Sequence, residues 1–195
     1  MLRKALLVAA LMFGLCAPLL GTRGAALAVL ECCPWPYNSS QNVNLNISYL
    51  NYGDSYLAPM IDNAANQWSS RLAPPSLIKN CPPGCVGTTT VSAGSPQCGW
   101  CGGWTTYSGN PRTSSSIVMN ESYLKASSSS IAQALVVHEF GHAIGLWHAD
   151  GTGCHSVMWS YLGGSNPYTT SPSAYDVSEE NRMYPNPWWH TTSDC

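Results

Sequence analysis

His138-Glu139-Phe140-Gly141-His142-Ala143-Ile144-Gly145-Leu146-Trp147-His148 is the stretch that decides how the chain reads. His138 and His142 are four residues apart, so on a helix they project from one face, one turn above the other. Ring nitrogens placed that way can reach one cation at roughly 2.0–2.1 Å, a zinc distance. Glu139 stands beside the first of them, and its longer side chain can hold a water next to the metal. Gly145 accepts a positive φ at low cost, so the helix can end there and His148 can swing back as a third ligand. Three protein ligands leave one position for water, the open geometry of a catalytic zinc site. The expectation is one Zn2+ ion held by His138, His142 and His148, with Glu139 as the catalytic base. The plain alternative is a helix with histidines satisfied by solvent or by the core.

Immediately upstream, Ile131, Leu135, Val136, Phe140 and Ala143 recur at helical spacing, which predicts an amphipathic helix over residues 131–144. Ser130 with Gln133 reads as its capping box. Downstream, a Gly-rich loop leads to Ser156-Val157-Met158, ten residues past His148. Residues 173–176, Ser-Ala-Tyr-Asp, can cap a last helix that ends near Tyr184-Pro185.

Further out, Val43, Leu45, Ile47 and Tyr49 alternate with polar residues and predict a half-buried strand. Leu57, Met60, Ile61, Ala64, Ala65, Trp68 and Leu72 predict a packing helix over residues 55–72, with Pro59 early enough to be tolerated. Residues 76–80, 88–92, 103–107 and 115–120 are further strand candidates. No repeat or linker interrupts this order.

The chain has 195 residues and a formal charge of −2. A basic start, an apolar run and Ala26-Leu27-Ala28 predict a signal peptide over residues 1–28. The remainder, residues 29–195, suits one domain. Removing Arg3, Lys4 and Arg23 makes it more acidic, which argues against a nucleic-acid partner. No later run is long and apolar enough to span a bilayer. Without Cys16, the cysteines are Cys32, Cys33, Cys81, Cys85, Cys98, Cys101, Cys154 and Cys195, an even set that fits an exported disulfide framework. Cys81, Cys85, Cys98 and Cys101 could alternatively hold a structural zinc.

The pattern H-E-x-x-H-x-x-G-x-x-H over residues 138–148, followed by Met158 in a turn, resembles the metzincin clan of zinc peptidases. The helix with Trp68, the strand at Ile117-Val118-Met119-Asn120, and Asp176 with Tyr184-Pro185 are similar to the matrixin-like branch. The resemblance covers roughly residues 43–185. It implies an α+β fold: a small, twisted, mostly parallel sheet with an active-site helix, a packing helix and a C-terminal helix. It implies that Met158 forms an apolar floor under the histidines, a use that suits its polarisable thioether. The chain departs from the family in its short segment before the first strand and in lacking a His- and Asp-rich metal loop, so no obligatory calcium is expected. Tyr161 lies three residues after Met158, whereas astacin-like enzymes place a metal-binding Tyr two after it; a ligand role for Tyr161 is therefore not expected.

Together these features predict a secreted, extracellular, monomeric zinc endopeptidase acting on protein or peptide substrates, with no membrane partner once the signal is removed. Glu139 would take the proton of the attacking water and return it to the leaving amine. Substrate is expected along the strand at residues 115–120, by addition to a sheet edge. The alternative is a catalytically weak, zinc-containing extracellular binding or adhesion module.

Overall fold

The computed structural model describes Trp35 and residues 44–49, 55–71, 76–79, 87–96, 98 and 101–184. The signal peptide expected over residues 1–28, Cys81, Cys85 and the tail from residue 185 lie outside them. The elements are β1 (Asn44–Tyr49), α1 (Leu57–Arg71), β2 (Ser76–Lys79), β3 (Gly87–Ala93), β4 (Gly103–Ser108), β5 (Ser114–Met119), α2 (Glu121–Ala126), α3 (Ser129–Ile144) and α4 (Ala174–Met183). This is a mixed α+β fold.

The strands form one sheet in the order β2-β1-β3-β5-β4. β1 runs parallel to β2 and β3, and β3 runs parallel to β5. β4 is antiparallel to β5. The connection between them is short enough only for a hairpin, closed where Thr113 N–H donates to Ser108 O at 2.8 Å. β5 is therefore paired along both edges, and β4 is a free edge among the described strands. This corrects the expected docking of substrate on residues 115–120: that strand has no edge left to offer.

Alternation decides what the sheet buries. Val91, Ile117 and Met119 point into the core, while Trp104, Thr106 and Ser108 face solvent. α1 and α3 cover the buried side. α1 buries Leu57, Ile61, Ala64, Ala65 and Trp68, as its periodicity predicts. Pro59 occupies its first turn, where the N–H has no helical partner to lose. The Trp68 indole donates to Val137 O at 2.9 Å, so its large apolar surface enters the core without an orphaned N–H.

α3 differs from the sequence expectation in two ways. Its N-cap is Ser128, whose hydroxyl accepts from Ile131 N–H, and not Ser130. Gln133 is consequently free for another task and donates to Met60 O on α1 at 3.0 Å. The second half of the helix is also buried on nearly all sides, Val136 to Gly141 included, rather than along one stripe. The reason is its central position, with β4 and β5 on one side and α1 on another.

α2 was not expected. It is one short turn and a half, capped by Asn120 and carrying a single buried residue, Leu124, so it leaves no period to read. α4 begins with a full capping box, in which Ser173 and Asp176 satisfy each other's backbone N–H. Cys98 and Cys101 form a disulfide, which removes both from the alternative four-cysteine zinc site. Cys154 is disulfide-bonded as well.

Candidate active site

The end of α3 sets the geometry. Gly145 adopts a left-handed φ of 115°, and its N–H and that of Leu146 fold back onto His142 O and Gly141 O. This is the reversal that only Gly makes cheaply, and it sends residues 146–148 back toward the helix. His138, His142 and His148 then converge: their candidate ligand atoms all lie within 4.8 Å of one another. His142 Nε2 and His148 Nε2 are 3.2 Å apart.

Ring orientation is fixed from behind. His138 Nδ1 lies 2.8 Å from Val157 O, and His142 Nδ1 lies 2.8 Å from Leu146 O. A carbonyl oxygen only accepts, so both Nδ1 atoms carry the proton and both Nε2 lone pairs remain available. Burial lowers the pKa of all three histidines. His138 falls to about 4, through burial first and His148 second. His142 falls well below the ordinary value, through burial and then its two imidazole neighbours. His148 falls through burial, opposed by nearby Asp150. Three neutral imidazoles with converging lone pairs are a donor set that fits a zinc ion.

Glu139 is buried between α3 and β4. The Thr105 hydroxyl lies 2.6 Å from Glu139 Oε2 and 3.2 Å from Glu139 O. Burial pushes the Glu139 pKa up to about 7, with the Thr105 bond opposing it. A carboxylate poised near neutrality suits general acid–base work.

Met158 packs directly under the helix. A Cβ at Gly141 would collide with the Met158 thioether, so the Gly between Phe140 and His142 is what lets this floor approach. Asp176 ties the same turn to α4: it accepts from Ser156 Oγ and from Val157 N–H, the latter at 3.0 Å. Val157 O in turn holds His138. A connected chain thus runs from the start of α4 to the first histidine.

His138, His142 and His148 come together, with Glu139 next to them in sequence and clasped by β4. Tyr161 and His155 are both exposed. Sequence reading missed Thr105, Gly103, Arg112 and Asp150. Thr105 and Gly103 sit two apart in a predicted strand, but nothing in the chain tells which helix that strand faces. Arg112 lies in a polar loop and gives no signal, yet it is fully buried and donates to His142 O and Ala143 O at 2.7 and 2.8 Å.

No protein-family model matches the chain, and no curated protein does. Among 48 solved chains that match, one is high choriolytic enzyme 1, a hatching-enzyme zinc-protease from the medaka fish Oryzias latipes. It aligns with a TM-score of 0.55 at 11% identity, over 79% of this chain and 95% of that one. Another is the GM1-bound form of the ECX AB5 holotoxin, with a TM-score of 0.50 at 13% identity, over 80% of this chain and 86% of that one. At such identities the likeness is one of fold: this chain has a fold similar to that of a zinc protease, with a three-histidine group that could hold a metal.

Proposed function

We propose that this chain is a secreted zinc endopeptidase of the metzincin type, matrixin-like in its element order, with residues 29–195 forming the peptidase domain. The observation that carries the reading is the convergence of His138, His142 and His148, with a buried carboxylate, Glu139, next to the first of them in sequence, on a fold similar to that of a zinc protease. One Zn2+ ion held by the three imidazoles would supply Lewis acidity toward the scissile carbonyl and acidify a water. Glu139 accepts the proton of the attacking water and delivers it to the leaving amine, with its own pKa placed near neutrality by burial. The free edge of β4 gives an extended peptide a row of backbone hydrogen-bonding groups beside Glu139, because β4 carries Thr105 against that residue. The protein works as a monomer on protein or peptide substrates.

Metal content and turnover, measured together, test this reading. Glu139→Ala should keep one zinc per chain and lose ~10²–10⁴-fold in peptide hydrolysis, the range of general acid–base catalysis. His142→Ala should lose zinc, hydrolysis and some stability together. Zinc-loaded protein that leaves denatured protein substrates uncut would favour the binding-module reading. A Glu139→Ala variant with more than about a tenth of wild-type turnover would remove Glu139 as the base.

A further inference from the structure

β4 does more than present an edge. Its residues 103 and 105 point to the same side of the sheet, toward α3. Both meet Glu139, in complementary ways. At Gly103 an added Cβ would stand 2.6 Å from Glu139 Cγ and 2.8 Å from Oε1, so the missing side chain is the space the carboxylate occupies. At Thr105 the hydroxyl holds the other oxygen, Oε2, at 2.6 Å, and it also reaches the backbone carbonyl of Glu139 at 3.2 Å. The head of the strand is fixed in turn. Asn120 N–H donates to Gly102 O at 2.9 Å, the Asn120 amide donates to Cys101 O at 3.2 Å, and the Cys98–Cys101 disulfide lies just before it.

A glutamate needs such a holder. Its terminal torsion is broad and roughly two-fold, so an unheld carboxylate rotates through many orientations. General-base catalysis requires one oxygen within hydrogen-bond reach of the proton it removes, and small misplacements are costly. With Oε2 bound to Thr105, Oε1 is the oxygen left to take a proton from water.

We propose that Thr105 is a positioning residue for the peptidase reaction: its hydroxyl clamps Glu139 Oε2 and assigns the proton-accepting role to Oε1, in the space Gly103 leaves open. The inference rests on the peptidase reading above. It assigns Thr105 no contact with substrate or metal. A clamp on the base should therefore act on kcat and leave KM and zinc content alone.

The experiment compares wild type, Thr105→Val and Thr105→Ser in the full chain, with zinc content, melting temperature, kcat and KM measured for one peptide. Thr105→Val should keep one zinc and an unchanged KM while kcat falls roughly 10- to 100-fold, the scale of a misplaced catalytic group. Thr105→Ser, which retains the hydroxyl, should restore most of kcat. Gly103→Ala should also lower kcat, by crowding Oε1. Should Thr105→Val fail to fold, the Ser and Gly103→Ala variants still decide: full kcat in Gly103→Ala, or a Ser variant as slow as Gly103→Ala, refutes the clamp. Wild type that hydrolyses the peptide alongside a Thr105→Val variant of equal kcat overturns the clamp alone. Wild type that binds zinc and hydrolyses nothing overturns the peptidase reading, and the clamp with it.

Discussion

The C-terminal end of α3 and the body of α4 are both buried, but they treat polar groups in opposite ways. At the end of α3 all four last carbonyls are met. Gly141 O accepts from Gly145 and Leu146 N–H, and His142 O from Gly145 N–H and Arg112. Ala143 O accepts from Arg112 and the Trp35 indole, and Ile144 O from the Tyr184 hydroxyl. A helix normally leaves these groups to water, and here side chains from distant parts of the chain replace it. In α4, by contrast, Ser178 Oγ and both Glu180 oxygens are buried with no hydrogen-bond partner among the described residues. Polar satisfaction is concentrated where histidine geometry must hold, and the helix behind it carries the uncompensated burial. The difference suggests that rigidity has been placed at the site and that α4 is the weaker packing layer.

Arg112 offers the largest expected effect on that contrast. Its guanidinium is fully buried and serves two carbonyls at the negative end of the α3 dipole. Arg112→Met keeps the apolar bulk and removes the donors. Hydrogen bonds from charged groups are worth about 1.5–3 kcal/mol each, so the variant should lose ~3 kcal/mol or more in denaturant unfolding. Zinc affinity should fall too, because His142 sits on the loosened turn. Stability within ~0.5 kcal/mol of wild type, the range of an ordinary surface change, would mean that the end of α3 is held by something else.

Gly141→Ala comes next. Here the perturbation is steric: the new methyl group meets the Met158 thioether and approaches Trp68 Cζ2 to 3.1 Å. Overpacking of this kind costs typically ~1–3 kcal/mol, and Met can give way at its flexible end. A lower melting temperature with a weakened zinc affinity is expected. Full stability with native zinc affinity would show that the Met158 floor is loose, and would weaken the view of the site as the rigid region.

Much of this was legible in the chain, for reasons specific to each element. The zinc-type motif could be read because its chemistry is carried by residues four and ten apart in one helix and its return. The helices with buried stripes and the alternating strands announce themselves by period. The Ser128 cap was misplaced by two residues because a run of serines offers several equivalent caps. The edge position of β4 was missed because strand order depends on pairings between distant segments, which hydrophobic alternation does not encode. Arg112 and Thr105 were missed for the same reason: their partners are distant in sequence and their local contexts are polar and ordinary.

Glu180 supplies the finest test of the contrast, because its effect is nearly absent near pH 4 and grows only as pH rises. Burial alone raises its pKa well above the ordinary carboxylate value. In the unfolded chain the group titrates near the ordinary value, about 4.3. Between that value and the raised folded value, the folded state holds a proton that the unfolded state has released. Stability therefore falls as pH rises through this window, by at most ~1.4 kcal/mol per pH unit from this one group. Below the unfolded pKa both states are protonated and the penalty vanishes. Glu180→Gln keeps the shape and removes the titration. Its stability should match wild type to within a few tenths of a kcal/mol near pH 4, where the two side chains are both neutral. From there the variant should become progressively the more stable of the two up to neutral pH. Melting temperatures of both proteins across that range measure the divergence. Parallel curves would show that Glu180 is charged and compensated in the folded protein, and α4 would then be as well satisfied as the end of α3.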